Sequence, residues 1–264
     1  MSLKISVITI CFNNPEDVIT TCKSVDQQTR KPDEHLIVDG SENQVILHYL
    51  ESHPQPGFRK WKNEPDEGIS DAFNKGILRA SGDIIHLLNS GDYYYDDTVL
   101  QRAGKTFEAN PGVKWTSGKY LQYRGNTWIE SGVPFEKKKL YRGMRQVAHP
   151  TMFVKKELYD RHGLYDLDVE VAMDYDFMVR IRNEKYLFIN YPLVCFAPGG
   201  KSEIEFGTGI KNIKHSYRKY IGRSAKLNLW MLWQRTLPII MGTTLGRLLF
   251  RIKNRQKIQR PPKG

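Results

Sequence analysis

The amino-terminal third of the chain alternates short β-branched runs with helical patterns, and this alternation constrains the fold more than any other feature. Residues 7–10 form a first strand that leads into Asn14, Pro15, Glu16 and Asp17, which suit a helix N-cap, first position and first turn. Residues 36–38 make a second strand that stops at Asp39, Gly40 and Ser41, and a helical pattern follows toward Leu50. A third strand is expected over 58–62, then a helix from Ile69, where Ile69, Ala72, Phe73, Gly76, Ile77 and Ala80 recur at helical spacing. Residues 84–88 are a fourth strand. The prediction is an α/β chain whose mainly parallel sheet is flanked by helices, with ligands beyond the carboxyl ends of the strands. After Asn110 the pattern weakens to a hairpin over 115–121 and 127–129, a helix over 174–183, and apolar runs at 186–189 and 193–196.

Charge divides the 264 residues in two. The chain holds 40 Lys and Arg against 29 Asp and Glu, a net +11, yet residues 206–264 contain 14 basic residues and no acidic one. Residues 1–205 are left with 26 basic and 29 acidic side chains, so a −3 body carries a +14 extension. That partition predicts a body over 1–205 and a separate basic tail over 206–264. It argues against a nucleic-acid groove, which would spread basic residues over the binding face. Cys11, Cys22 and Cys195 have neither the number nor the spacing of a disulfide framework or a zinc knuckle. The start of the chain reads as a strand and not a signal peptide, which predicts a cytoplasmic protein.

The sequence lacks the phosphate loop Gly-x-x-x-x-Gly-Lys-Ser/Thr, His-Glu-x-x-His and Gly-x-Ser-x-Gly. What remains is carboxylates at strand and helix ends. Asp39 either closes its strand as an Asx turn or accepts from a nucleobase or ribose. Asp71, Asn74 and Lys75 share one helix face, either as a solvated surface or as ligand contacts, with Glu64, Asp66 and Glu67 read as first-turn acids. Asp92 ends the turn 89–92, where a single carboxylate can hold Mg²⁺ or Mn²⁺ together with a substrate's phosphates. Asp174 and Asp176 open a helix, as dipole partners or as a general base whose pKa is raised by burial.

These segments resemble inverting glycosyltransferases of family 2, with the GT-A nucleotide-sugar fold, a resemblance that implies a catalytic domain over 1–205 with a nucleotide-binding half over about 1–100 and an acceptor half over about 101–205. The resemblance rests on residues 6–14 (SVITICFNN), 37–41 (IVDGS), 64–76 (EPDEGISDAFNKG), 87–92 (LLNSGD), His149-Pro150-Thr151 and Asp174-Tyr175-Asp176, all in the family's order. Residues 64–76 and 87–92, with Gly199-Gly200-Lys201-Ser202, are similar to the branch that builds colanic acid and O-antigen polysaccharides. The resemblance implies a nucleotide diphosphate sugar donor, UDP-sugar favoured, and a saccharide or lipid-linked saccharide acceptor. It implies a nucleotide pocket of Thr9, Phe12 and Asn13, with Asp39 and Ser41 at the base. Asp66, Asp71, Asn74 and Lys75 fall around ribose and diphosphate, with Asn89, Ser90 and His149 as further contacts. Asp92 becomes the ligand of Mn²⁺ or Mg²⁺, and Asp174 the base, with Asp176 as its alternative. Asn89 and Gly91 stand where many relatives carry carboxylates, so the metal rests on Asp92 and the donor.

In the acid-free tail, Leu229, Trp230, Leu232 and Trp233 precede an interrupted apolar stretch, 236–250, that is too short to span a membrane. A stripe of Leu245, Leu248, Leu249 and Ile252 beside Arg247, Arg251, Arg255 and Lys257 reads as an interfacial helix on an anionic membrane, which would make the protein peripheral on the inner face. The competing reading packs the tail on the body or in a homo-oligomer. Against the enzyme stand a noncatalytic nucleotide-sugar binding module and a nucleic-acid binder using the tail as an arm.

Overall fold

A computed structural model of the chain describes residues 3–124, 127–145, 147–196, 205–243 and 258–259. The expected Gly-Gly-Lys-Ser segment at 199–202 and the amphipathic stripe at 245–257 lie outside the described residues.

The first half follows the alternation of the sequence. β1 (Ile5–Cys11), α1 (Pro15–Asp26), β2 (Glu34–Asp39), α2 (Val45–Ser52), β3 (Arg59–Asn63), α3 (Ile69–Arg79) and β4 (Ile84–Leu87) succeed one another. Asn14 caps α1, its side chain accepting from Asp17 N, and Pro15 opens the helix. β4, β1, β2 and β3 lie side by side in that order, all parallel, so their carboxyl ends share one edge. The central strands are buried on both faces, as their continuous apolar runs require. Gly76 lets α3 lie against β1, since a Cβ there would come within 2.4 Å of Ile8 Cγ2. Glu64, Asp66 and Glu67 precede the helix, because Gly68, at φ +108°, turns the chain just before it.

Beyond β4 come β5 (Tyr93–Tyr94), α4 (Val99–Ala109), β6 (Trp115–Arg124) and β7 (Thr127–Ser131), then two 3-10 segments (Lys137–Arg145 and His149–Thr151). β8 (Phe153–Lys155), α5 (Glu157–His162), α6 (Met173–Arg180) and β9 (Tyr186–Phe196) complete the body. β8 runs antiparallel between β4 and β6 and joins the two halves into one sheet. The two apolar runs at 186–189 and 193–196 are a single strand, β9, parallel to β6 with a register shift where Tyr191 and Pro192 intervene.

The basic extension contributes α7 (Phe206–Tyr220), α8 (Ala225–Gly242) and a two-residue β10 (Ile258–Gln259) that pairs with β7. α7 packs on the body through Ile213, Tyr217 and Tyr220. α8 packs through Leu227 and Met231, with Trp230 edge-on to Tyr141 at 6.1 Å. All three cysteines are buried and free. No helix among the described residues is long and apolar enough to cross a membrane.

Candidate active site

The carboxyl edge of the parallel strands gathers most of the expected residues. Phe12 is 61% exposed, an aromatic ring at the rim. Asn13 has φ +56°, the one non-glycine residue in the left-handed region among the described residues, which an asparagine tolerates. Its amide donates to Ser41 Oγ at 2.7 Å, tying the ends of β1 and β2 together. Asp39 is buried, and its carboxylate accepts from Ser41 N and from Asn63 Nδ2, both at 3.0 Å. Burial pushes the neighbouring Cys11 thiol far up, and the Asp39 charge adds to the effect, so this cysteine stays protonated and inert. Asp66 closes over the same corner: a Cβ at residue 40 would lie 1.9 Å from Asp66 Oδ2, so glycine alone leaves room. Asp66 Oδ1 is steadied by Gly68 N at 2.8 Å.

Lys75 Nζ reaches Asp71 at 2.6 Å and the Pro65 carbonyl at 2.7 Å. Burial alone would raise Asp71, but the hydrogen-bonded Lys75 ammonium brings its carboxyl below the ordinary value. Two expected residues face elsewhere. Thr9 is wholly enclosed beneath α1 with its hydroxyl 3.0 Å from His35 Nε2, so it lines the core and not the crevice. Arg59 Nε donates to His35 Nδ1 at 3.1 Å, which leaves Nε2 as the protonated nitrogen that donates to Thr9. Asn74 is buried rather than on a solvated face: its amide donates to Tyr165 O and accepts from Tyr165 N, both at 2.9 Å.

At the end of β4, Gly91 has φ +90° and the turn is pinned by Thr21 of α1, whose hydroxyl donates to Asp92 O at 2.7 Å and accepts from Gly91 N at 2.9 Å. Ser90 N donates to Ile10 O at 3.2 Å, holding this turn against the end of β1. Asp92 is buried, and Asn89 Oδ1 is enclosed with no hydrogen-bond partner. No group of three His, Cys, Asp or Glu side chains able to hold a metal exists among the described residues. Asp92 and the orphaned Asn89 oxygen are hard oxygen donors, which fit a divalent cation completed by a ligand's phosphates and not one held by protein alone.

Asp174 and Asp176 prove to be different kinds of acid. Asp174 is half-buried at the start of α6, and burial pushes its carboxyl up to about 6, outweighing the backbone amides of Tyr175, at 2.7 Å, and of Asp174 itself, which favour the charged form. Asp176 is fully enclosed and accepts from Arg180 Nε at 3.0 Å. Arg180 is drawn inward and donates to the Gly163 and Leu164 carbonyls at 2.8 and 2.7 Å. The pair therefore holds the segment that leads to Tyr165.

Tyr165 links the two halves of the site: its backbone is clamped by Asn74, its hydroxyl lies 3.2 Å from His149 Nε2, and Asp174 acts on it electrostatically. His149 is buried edge-on to Phe73, and burial lowers it to about 4, so it is neutral at pH 7. Sequence reasoning missed Asn63, Tyr165 and Arg180, whose roles depend on partners up to 91 residues away. It also missed α4, although Val99, Leu100, Ala103 and Phe107 carry a helical spacing.

The sequence pattern of glycosyl transferase family 2 matches residues 6–162. An uncharacterised glycosyltransferase of Mycobacterium tuberculosis is 35% identical over 179 residues, 67% of this chain and 68% of that protein. A PGL/p-HBAD biosynthesis glycosyltransferase of Mycobacterium bovis is 27% identical over 82% of this chain and 83% of its own length. Among solved structures, S. aureus TarS 1-349 in complex with UDP-GlcNAc superposes with a TM-score of 0.65 at 16% identity, covering 87% of this chain and 70% of that 1-349 chain. The mannosyltransferase PcManGT of Pyrobaculum calidifontis, in complex with GDP-Man and Mn²⁺, also gives 0.65 at 16% identity, covering 97% and 81%. The fold is that of the GT-A glycosyltransferases.

Proposed function

The chain belongs to glycosyl transferase family 2 and is a glycosyltransferase; on that premise we propose that it transfers a hexosyl or N-acetylhexosaminyl group, with inversion, from a nucleotide diphosphate sugar to a saccharide hydroxyl. The observation that carries this reading is the Asp174 carboxyl, raised to about 6 by burial that outweighs its backbone hydrogen bonds. An inverting transfer needs one base to take the acceptor's proton as its oxygen attacks the anomeric carbon and the nucleotide diphosphate leaves. A carboxylate with this pKa is ionised at neutral pH and is a stronger base than one near the ordinary value of about 3.9. Asp176 does not serve, since it is enclosed and engaged by Arg180.

On the donor side, Phe12, Asn13, Asp39 and Ser41 receive the nucleoside, Phe12 offering an exposed ring for stacking. Asp66, Asp71 and Lys75 lie toward ribose and diphosphate, with Asn89 and Ser90 at the end of β4. Asp92, with the orphaned Asn89 oxygen, holds Mn²⁺ or Mg²⁺. When bound, that cation neutralises the leaving diphosphate. His149, neutral and buried, supports Tyr165 beside the base. The UDP-GlcNAc and GDP-Man complexes of similar structures support a nucleotide-sugar donor, and UDP recurs in the TarS complexes. The acceptor reading is a lipid-linked saccharide at the inner face of the cell membrane, in the assembly of surface polysaccharide of the lipopolysaccharide or O-antigen type.

A donor panel assayed by nucleotide release, with a lipid-linked saccharide and with or without Mn²⁺, tests the proposal. Acceptor- and metal-dependent release from one donor is expected. Tight donor binding with no release on any acceptor would instead make the chain a noncatalytic nucleotide-sugar module.

A further inference from the structure

α8 is built the wrong way round for a helix that covers a soluble body. Its inward side is made by Leu227, Met231 and Gln234, all buried, with Trp230 half-buried against Tyr141. Its outward side is also apolar: Leu229 is 68% exposed, Leu232 61%, Trp233 47% and Ile240 39%. At 100° per residue, Leu229, Leu232, Trp233 and Ile240 fall within one stripe about a third of the circumference wide, with Lys226 and Arg235 on its two margins. A helix apolar on two sides is normally buried on both, so one side of α8 lacks its partner among the described residues.

We propose that this outward face of α8 seats the enzyme on an anionic lipid bilayer, lying flat with Leu229, Leu232 and Trp233 at headgroup depth. Charge selects the occupant. Residues 206–243 contain no carboxylate, and exposed Arg223, Lys226 and Arg235 surround the stripe, an arrangement suited to anionic headgroups and poorly suited to a second copy of the same basic surface. A tryptophan beside leucines and cations is the composition of an interfacial helix. Crossing the bilayer is excluded for α8, because its inner side is occupied by the body. The inference deepens the inner-membrane reading above, on which it rests, by naming the surface of α8 that makes the contact.

The test is flotation of the full chain with phosphatidylglycerol-containing vesicles, compared with pure phosphatidylcholine, at two salt concentrations. Wild type is expected to float with the anionic vesicles and to be released as salt rises. The double variant Leu229→Ser, Trp233→Ser is expected to lose at least ten-fold in bound fraction with unchanged thermal unfolding, although every basic residue of the tail is kept. Unaltered binding by that variant would overturn the assignment, as would absence of wild-type binding at low salt. A concentration-dependent dimer abolished by the same substitutions, without vesicle binding, would give the face to a second copy instead. Nucleotide release from soluble donor is read in parallel: it should be equal in both proteins, so failure of flotation and failure of the glycosyltransfer reading are separately visible.

Discussion

Two carboxylates of the proposed site, Asp39 and Asp174, are treated in opposite ways by the fold. Asp39 is buried with hydrogen bonds from Ser41 N and Asn63 Nδ2, in a corner where Asn13, Gly40 and Asp66 are locked to one another. Asp174 is less enclosed yet raised to about 6, because burial penalises its charge by more than its backbone amides return. The donor corner is thus preformed and satisfied, whereas the base is held in an environment that resists its ionised form. Stability and chemistry part company here: loss of a group should destabilise the first region and stabilise the second.

The largest effect on folding is expected at the support of the base. Asp176→Ala leaves the Arg180 guanidinium without its counter-charge in the interior, a change worth about 3–5 kcal/mol, read as a lower urea midpoint. Asp176→Asn, which keeps the shape, should lose less; equal urea midpoints for both variants and wild type would remove Arg180 from the account. Next comes the donor corner. Asp39→Ala strips partners from Ser41 N and Asn63, at a cost of about 1–3 kcal/mol, together with weaker donor binding by calorimetry. Gly40→Ala should displace Asp66 and lower donor affinity about ten-fold; unchanged affinity would mean that Asp66 does not touch the donor.

The smallest effect has the most telling sign. The folded pKa of Asp174 lies above its unfolded value, so its contribution favours folding at low pH and is lost as pH rises through about 6. Asp174→Asn should therefore unfold at a higher temperature than wild type at pH 8, by about 1–2 kcal/mol after allowing for partial exposure. That advantage should shrink as pH falls below 6. A variant less stable than wild type at pH 8 would mean that the carboxylate is well solvated and the contrast with Asp39 is false.

The legibility of the sequence follows the same division. Each parallel strand in the first half runs directly into the turn that carries its polar residues, so Asp39, Ser41 and Asp92 could be located from local pattern alone. The second half depends on contacts between distant segments: Asn74 meets Tyr165 and Arg180 collects the carbonyls of 163 and 164. Nothing in the local pattern separates Asp174 from Asp176, since both are acids in the first turn of α6; only burial and the inward turn of Arg180 tell them apart. Thr9 stands close to the rim residues Phe12 and Asn13 in the motif but lies within β1, which ends at Cys11, so its side chain enters the packed layer while theirs sit beyond the strand.

The central claim is that Asp174 takes the acceptor's proton and does not hold the donor. Its most direct test is Asp174→Asn, assayed for turnover by nucleotide release once an acceptor is in hand and, separately, for donor affinity by calorimetry. The account predicts turnover reduced by roughly 10²–10⁴-fold, with donor affinity within a few-fold of wild type. Turnover at the wild-type level would contradict it.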